Sequence, residues 1–331
     1  MENLPDIYFK SDYGKLNEHI ENGIAKVFEL NSEYGSIRHQ FIVREIPIKI
    51  ANKTYYDLTT PYGYGGPIIT ESVPDKEDQL INKFENEFSA YCLSNNIVSE
   101  FVRFHPVINN ADSFKDIYKP TFIRKTLGTN LKNYDDPFQE EFSRSSRKKV
   151  RQTLKKGITY EVIENPKDLD DFKKIYYSTM DRNKADEFYY FDEEYFNKSL
   201  ELFPNNIIVV KANYEGKTVA QGFYFVYGKY IHIHLSGTLT DYIKLSPAYI
   251  LRYAVTLWGK DRGYELIHHG GGRTNSTEDT LYRFKKRFAQ NTEYNFKIGK
   301  KIWNHGIYKK LCGNNERKLN TDFFPAYRAP K

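Results

Sequence analysis

The chain has 331 residues and a mass of 39.0 kDa, a length that predicts about two domains. Lysine and arginine total 49 against 43 aspartate and glutamate residues, so the net charge is +6. That charge is too small for a protein that coats nucleic acid over its whole surface. Hydrophobic residues make up 40% of the chain and charged residues 28%, which excludes a disordered or fibrous protein.

The cysteine content and the absence of a targeting pattern favour a cytoplasmic protein. Cys92 and Cys312 are too few for a disulfide framework and lack the spacing of metal ligands, so no metal site is expected. No apolar run approaches the roughly 20 residues that span a bilayer. The first residues also lack the basic and apolar regions of a secretory signal. Peripheral membrane contact is compatible with this composition.

Strand-like and helix-like segments alternate along the chain, which predicts an α/β or α+β architecture. The predicted elements of the first half are strands at 25–30 and 41–50, a helix at 75–93, and strands at 97–104 and 121–127. Those of the second half are helices at 170–183 and 192–202, strands at 207–212, 217–227 and 229–236, a helix opened by Ser246 and Pro247 with inner residues Ile250, Ala254, Leu257 and Trp258, a strand at 264–268, and a helix at 277–288. Ser276 and Asp279 are predicted to form the capping box of the last helix, with Leu281 facing inward.

The densest basic stretch of the chain, residues 143–157, predicts a helix that ends at Gly157. We expect this helix to link an N-terminal domain at 1–142 to a C-terminal domain at 158–331 that carries the site. A second basic cluster lies at 283–287. Two such clusters predict contact with the phosphates of a nucleotide, an RNA or a phospholipid, although a solvated helix face is the alternative.

The sharpest local feature is the segment 267–273, with the sequence IHHGGGR. A buried strand that ends in three glycines lets a ligand approach backbone N–H groups, and open sheets bind ligands at the carboxyl ends of their strands. Arg273 can hold an anion there. The alternative is a turn whose histidines are satisfied by backbone groups.

Several common reaction classes have no signature in the chain. Residues 63–67 (GYGGP) have the wrong spacing for a dinucleotide-binding fingerprint. No P-loop, zinc motif, nucleophile elbow or kinase signature is present in the sequence.

Taken in order, these motifs resemble the FemAB-like branch of the GNAT acyltransferases. The matching segments are 61–67 (PYGYGGP), the basic helix within 146–157, 180–183 (MDRN), 245–251 (LSPAYIL), 260–264 (KDRGY), 269–273 (HGGGR), 281–288 (LYRFKKRF) and 323–328 (FFPAYR). The resemblance implies two tandem GNAT-like domains, each a mixed central sheet flanked by helices. One departure is that residues 241–246 (DYIKLS) stand where ordinary GNAT enzymes have a glycine-rich pyrophosphate loop.

The resemblance also implies the transfer of an acyl or aminoacyl group from an activated donor to an amine. The donor is aminoacyl-tRNA in members that build peptidoglycan bridges and acyl-CoA in others, so the donor is a co-substrate and no cofactor is permanently bound. tRNA is a partner in the first case. The acceptor is a cell-envelope or nucleotide-sugar-type precursor.

The chemistry of acyl transfer assigns roles to the glycine-rich segment and the helix after it. His269 is the first candidate for the general base, because histidine titrates near neutral pH. Tyr282 can protonate the leaving group, and Lys285 can hold a donor phosphate or stabilise the oxyanion. Glu278 and Asp279 are alternative groups.

The remaining candidates contact the donor or the acceptor. The resemblance assigns the donor to a Phe-Lys pair, here Phe284 and Lys285. The other donor-binding candidates are Gly270, Gly271, Gly272, Arg273 and Lys286, and the candidates for acceptor or phosphate binding are Tyr62, Tyr64, Arg147, Lys148, Arg151 and Arg182.

A hypothesis of another class is a non-catalytic RNA- or polyanion-binding protein built on a decayed transferase fold. Basic clusters interleaved with aromatic residues fit it. Such a protein would bind with strong salt dependence and without turnover, whereas an enzyme would release thiol from acyl-CoA or deacylate a charged tRNA.

Overall fold

Strands and helices alternate through the computed structural model, which describes residues 4–313 and 322–330. The strands are β1 (Ile24–Ser32), β2 (Gly35–Glu45), β3 (Tyr56–Thr59), β4 (Ile68–Ser72), β5 (Ile97–Arg103), β6 (Thr121–Asn130), β7 (Thr159–Glu164), β8 (Ile207–Tyr214), β9 (Lys217–Tyr227), β10 (Tyr230–Thr238), β11 (Leu266–Gly271) and β12 (Glu293–Ile302). The helices are α1 (Ser11–Leu16), α2 (Glu18–Glu21), α3 (Glu77–Ser94), α4 (Lys115–Tyr118), α5 (Pro137–Glu141), α6 (Arg144–Lys155), α7 (Asp170–Asn183), α8 (Glu193–Leu202), α9 (Pro247–Asp261), α10 (Thr280–Lys286) and α11 (His305–Cys312), with 3₁₀ turns at Ile7–Phe9, Glu187–Tyr189, Thr240–Leu245 and Ala326–Arg328.

The chain forms two compact units, and their boundaries differ from the predicted ones. Unit 1 comprises residues 1–123 and 295–331, and unit 2 comprises residues 124–294. The basic helix α6 therefore lies inside unit 2. It is not a linker, because Val150 is fully buried in the core of that unit together with Phe142 and Ile158.

The two units repeat one strand order, as expected for tandem GNAT-like domains. In unit 1, β2 pairs antiparallel with β1 and β3, and after α3 the strand β5 pairs parallel with β3. In unit 2, β7 to β10 pair antiparallel in succession, and after α9 the strand β11 pairs parallel with β10. Each sheet then gains an antiparallel neighbour, β12 on β5 and β6 on β11. Both sheets are mixed.

Each crossover helix buries one apolar stripe against its own sheet. In α3, Leu80, Phe84 and Phe88 recur at a spacing of four residues and are fully buried. In α9 the buried apolar stripe contains Ile250 and Ala254 and the residue that follows each of them, Leu251 and Val255. Leu257 lies outside this stripe.

The expectation that Leu257 of α9 and Leu281 of α10 face inward is wrong. Leu257 is 38% exposed and Leu281 is 37% exposed. The buried stripe of α9 is formed by Leu251 and Val255 beside Ile250 and Ala254, so position 257 is turned away from the sheet.

A buried carboxylate ties the end of the chain to unit 1. Glu100 of β5 is 1% exposed, and its Oε2 accepts hydrogen bonds from Tyr118 Oη at 3.0 Å and Trp303 Nε1 at 3.1 Å. Its Oε1 contacts His39 Nε2. Because Trp303 follows β12, this network draws the segment after residue 294 into unit 1, which a local sequence pattern does not reveal.

We predict that Glu100→Ala destabilises unit 1 by about 3–5 kcal/mol, because it leaves three buried partners without their acceptor. Urea unfolding followed by the fluorescence of Trp303 in a Trp258→Phe background measures this. The control is Glu85→Ala, since Glu85 pairs with Lys301 at 2.7 Å on the surface and its loss is expected to cost less than about 1 kcal/mol. Equal effects of the two variants would contradict the prediction.

Candidate functional site

The candidate site lies in unit 2, where β10 and β11 cease to pair. Their parallel pairing covers Tyr230–His232 and Leu266–His268, although β10 continues to Thr238 and β11 to Gly271. Each strand also has an irregularity just beyond the last pair, between Ile233 and Leu235 in β10 and between His268 and Gly270 in β11. Strands that separate in this way expose backbone groups that a ligand can bind.

His269 occupies the irregularity of β11, and its hydrogen bonds define its tautomer. The residue is 2% exposed, and its Nε2 lies 2.8 Å from Thr129 Oγ1. The Thr129 hydroxyl donates its single hydrogen to the carbonyl of Phe288 at 2.6 Å, so it must accept from Nε2–H of the histidine. His269 Nδ1 therefore carries a lone pair, and it is buried without a hydrogen-bond partner.

Burial lowers the pKa of His269 well below its usual value, and the nearby charges of Arg252 and Lys285 lower it further. The imidazole is therefore neutral at pH 7. Its free lone pair can accept a hydrogen bond from an amine N–H.

Lys285 extends from α10 back to β11. Its Nζ donates a hydrogen bond to the carbonyl of Gly271 at 2.7 Å. Burial and the charge of Arg252 lower the pKa of Lys285 to about 7, although Asp279 raises it. A lysine with this pKa exists at neutral pH both as an ammonium and as a free amine, so it can exchange a proton during a reaction.

The segment between β11 and α10 is fixed by Asp279 and Arg124. Asp279 accepts N–H bonds from Arg273 at 2.8 Å, from Thr274 at 2.9 Å and from Tyr282 at 2.8 Å. These bonds hold the pKa of Asp279 at about 2, although burial opposes them. Arg124 donates to the carbonyls of Gly272 at 2.7 Å and Arg273 at 2.6 Å.

Two predictions about this segment need correction. The helix α10 begins at Thr280 and not at 277, because Asp279 itself is the N-cap and bonds to Tyr282 N. The predicted capping box with Ser276 is therefore wrong. The strand before the segment also starts two residues later than predicted, at Leu266, and includes Gly270 and Gly271.

The three glycines are required by contacts within unit 2. Gly270 has a φ of 70°, which favours glycine. A Cβ on Gly271 would lie 2.9 Å from the carbonyl oxygen of Lys125, and one on Gly272 would lie 2.8 Å from Asp279 Oδ1. Close packing inside the protein thus explains these residues, and their contact with a donor stays a prediction.

Three other predicted residues on α10 already have partners in the protein. Tyr282 donates to Glu293 Oε1 at 3.0 Å, and burial together with this carboxylate raises its pKa to about 12. Lys286 Nζ lies 2.6 Å from the same oxygen. Phe284 packs against Phe288, with ring centroids 5.2 Å apart. A donor would have to compete for Tyr282 and Lys286.

The predicted phosphate-binding residues of unit 2 differ in their exposure. Arg147 donates to the carbonyls of Gln139 and Phe142, and Arg151 lies over the ring of Phe138 at 5.7 Å. Lys148 is exposed.

Of the other predicted phosphate-binding residues, Arg182 lies in unit 2 beside the end of a strand, and Tyr62 and Tyr64 lie in unit 1. Arg182 of α7 donates to the carbonyl of Thr238 at 2.7 Å, where β10 ends. Tyr62 and Tyr64 belong to unit 1, where the carbonyl of Tyr62 accepts from Tyr13 Oη at 2.9 Å and the ring of Tyr64 packs on Tyr8.

Sequence reasoning missed Thr129, Tyr224 and Arg252. Arg252 is a single charge within the apolar run 247–258 (PAYILRYAVTLW) of α9, and this interruption was the available signal. Thr129 and Tyr224 lie on strands whose pattern marks them only as core residues.

Residues 141–296 match the family described as an acetyltransferase (GNAT) domain. Among curated proteins, the chain is similar to a UDP-N-acetylmuramoylpentapeptide-lysine N(6)-alanyltransferase of Weissella viridescens, with 24% identity over 169 residues. That match covers 50% of this chain and 49% of the relative, so the chain spans about half the length of the curated relative it matches.

Solved structures share the fold over most of the chain. The crystal structure of FemX has a TM-score of 0.70 at 13% identity, covering 93% of this chain and 95% of that one. The C-terminal domain of a putative lysylphosphatidylglycerol synthetase from Agrobacterium fabrum has a TM-score of 0.54 at 13% identity, with 89% and 87% coverage. L-PGS from Bacillus licheniformis has a TM-score of 0.53 at 14% identity, with 88% and 92% coverage.

These similarities define the class of the protein as a GNAT-fold protein with two tandem domains. The chain has the fold of FemX, and residues 141–296 match the GNAT domain, which confirms at the level of the fold the resemblance predicted from the sequence. None of the helices formed by residues 4–313 and 322–330 has the length and apolar character needed to cross a bilayer.

We predict that Asp279→Ala destabilises unit 2 by about 1–2 kcal/mol at pH 7, because it removes the N-cap of α10. The pKa of Asp279 is lowered by folding, so its contribution is present above about pH 4 and is lost as the pH falls toward about 2. Urea unfolding at a series of pH values should show the difference from wild type shrinking over that range.

The matched control for Asp279→Ala is Glu278→Ala, since Glu278 is exposed and, among the residues that the structure describes, its carboxylate pairs with Arg283 at 2.8 Å. This control is expected to change the stability by less than about 0.5 kcal/mol. A constant difference between wild type and Asp279→Ala from pH 7 to the acid limit would contradict the role given to this carboxylate.

Proposed function

We propose that this protein is an N-acyltransferase that moves an acyl or aminoacyl group from an activated donor to an amine. The observation that carries the proposal is the pair formed by His269 and Lys285 where β10 and β11 separate. One group offers a free lone pair and the other a titratable amine in a site of low hydration. Attack by a neutral amine on an ester or thioester needs both an oriented nucleophile and a proton acceptor.

The pKa values of His269 and Lys285 assign the role of general base differently from the sequence analysis, which gave it to His269. His269 is a weak base because its pKa lies well below neutrality, so we assign it to orientation of the acceptor amine through Nδ1. Lys285 has a pKa of about 7, which suits the removal of a proton at neutral pH. Lys285 is therefore the general base of the proposed reaction. Its free amine takes the proton of the attacking amine as the C–N bond forms, and the resulting ammonium returns that proton to the ribose oxygen or thiolate that leaves as the C–O or C–S bond breaks.

Of the two donor classes, aminoacyl-tRNA is better supported than acyl-CoA. Helix α6 contains six lysine and arginine residues and no acidic residue between Arg144 and Lys155, and Lys148 and Lys149 are exposed. This surface fits the phosphates of a nucleic acid. The chain also lacks a glycine-rich pyrophosphate loop before α9, where the N-cap residue Ser246 makes no side-chain capping bond.

For the acceptor we propose an amine of a cell-envelope precursor. The curated relative acts, by its name, on the lysine of a UDP-N-acetylmuramoyl pentapeptide, and a lysine side chain or an amino sugar presents the kind of amine that the site can use. The donor is then a co-substrate, and no permanently bound cofactor takes part in these steps.

We predict that Lys285→Arg lowers turnover by about 10²–10⁴-fold, because a guanidinium keeps the charge but cannot accept a proton. The wild-type rate should rise as the pH increases through about 7, when Lys285 loses its proton. Deacylation of aminoacyl-tRNA and release of thiol from acyl-CoA, each with an amine acceptor present, provide the assays.

The control for Lys285→Arg is Lys229→Arg, which preserves the ion pair of an exposed lysine with Glu265 and should remain within a few-fold of wild type, on the order of 0.5 kcal/mol. If Lys285→Arg retains most of the activity, the lysine acts through its charge and the assignment as base fails.

We predict that Lys148→Glu weakens tRNA binding and lowers the slope of log affinity against log salt by about 1 or more. Lys174→Glu on α7 makes the same change of charge at an exposed residue that lies 3.6 Å from Asp171, and it should leave the affinity close to wild type. Filter binding across salt concentrations measures both. If the two variants bind alike, α6 is a solvent-exposed helix face with no role in binding tRNA. Tight, salt-dependent binding of tRNA without any turnover would favour the non-catalytic RNA-binding hypothesis.

A further inference from the structure

An arginine lies inside the apolar stripe by which α9 packs on the sheet of unit 2. Arg252 is 5% exposed, and its neighbours Leu251 and Val255 belong to the hydrophobic core. A charged group at such a position costs free energy unless it is paired or hydrogen-bonded.

The guanidinium of Arg252 has few partners within the part of the chain that the structure describes. One terminal nitrogen donates to Tyr224 Oη at 2.7 Å, and the group lies 5.8 Å from the centre of the same ring. Its Nε is buried without a hydrogen-bond partner. None of the ion pairs among residues 4–313 and 322–330 includes Arg252. A guanidinium has five N–H donors, so most of those of Arg252 have no hydrogen-bond acceptor among the described residues.

Tyr224 is placed for this contact by the residue two positions before it. A Cβ on Gly222 would lie 2.2 Å from Tyr224 Oη, so the tyrosine side chain lies along the strand over this glycine. The hydroxyl thereby reaches Arg252 and holds the guanidinium on the side of the sheet that α9 covers. The arginine is thus held in place by a neutral group and not by a carboxylate.

The surroundings of Arg252 are also cationic. Its charge is close enough to lower the pKa of both His269 and Lys285, and Arg124 contributes in the same direction at Lys285. The ionised carboxylate of Asp279 offsets part of this charge, since it raises the pKa of Lys285, but its oxygens already accept three backbone N–H groups and make no ion pair with Arg252. A set of cations with so little compensating negative charge is electrostatically unfavourable until an anion binds.

We propose that Arg252 binds an oxyanion of the substrate, a phosphate or a carboxylate, inside the candidate site. This inference rests on the proposed function in that it places the anion beside the reacting groups His269 and Lys285. A phosphate would come from the donor, and a carboxylate would come from a peptide or sugar-acid acceptor. The bidentate geometry of a guanidinium fits either group.

The test measures binding of inorganic phosphate and of acetate by isothermal titration calorimetry, with sodium chloride at matched ionic strength as the reference. Wild type should bind at least one of the two oxyanions more tightly than chloride, and the anion that binds more tightly identifies the source. Arg252→Gln should weaken that binding by about 10- to 100-fold. The control Arg262→Gln alters an exposed arginine at the end of the same helix, which pairs with Glu164, and it should bind like wild type.

A purely structural role for Arg252 is tested by the double variant Arg252→Met/Tyr224→Phe. It removes the charge and the hydroxyl together and keeps the apolar volume, so the ligand-free protein should be as stable as wild type or more stable and should not bind the oxyanion. A large fall in the melting temperature of this variant would overturn the proposal.

Unchanged oxyanion binding in Arg252→Gln, or no oxyanion-specific binding by wild type, would also overturn the proposal. Because calorimetry needs no turnover, oxyanion binding without acyl transfer would reject the proposed function and leave this inference standing.

Discussion

The separation of β10 from β11 is the constraint on which the rest of the site depends. Only three residues of β10 pair with three residues of β11. Beyond them β11 continues as a strand, because its other edge pairs with β6 both before and after the irregularity at His269. That irregularity places His269 within hydrogen-bonding distance of Thr129. The same continuation of β11 brings the carbonyl of Gly271 to Lys285. The hydrogen bonds with β6 therefore keep β11 in a strand conformation where it no longer pairs with β10.

Arg252 differs from the buried carboxylates of both units, which have several partners each; Glu141 of unit 2, for example, accepts from Asn130 N, Asn291 N and Thr292 Oγ1. In unit 1 the buried carboxylate of Glu100 has partners on both oxygens, and that of Asp57 has Arg44 and Arg328. The loss of one partner of such a group is costly, because the remaining buried charge is left without compensation. In unit 2 the charge of Arg252 is buried against a tyrosine hydroxyl. The buried charge of Arg252 is thus less fully paired among the described residues than these carboxylates are.

The local elements of the chain were predictable because their patterns are local. The helix at 170–183 and the strand at 217–227 have the predicted bounds, since periodicity and turn residues decide both. The domain boundaries were not predictable in this way. The segment after residue 294 joins unit 1 through contacts such as the hydrogen bond from Trp303 to Glu100. These two residues are 203 positions apart in the sequence.

For the candidate site, the sequence by itself determined which segments to consider, namely the strand that carries His269 and the three glycines and the helix that carries Lys285, together with an order of motifs that resembles the FemAB-like branch. The tertiary structure decided how those residues are ionised and what they contact. The tautomer of His269 follows from Thr129 and the carbonyl of Phe288, and the pKa of Lys285 follows from burial near Arg252. Hydration and the field of neighbouring charges depend on residues that are distant in the sequence, so a local pattern cannot contain them.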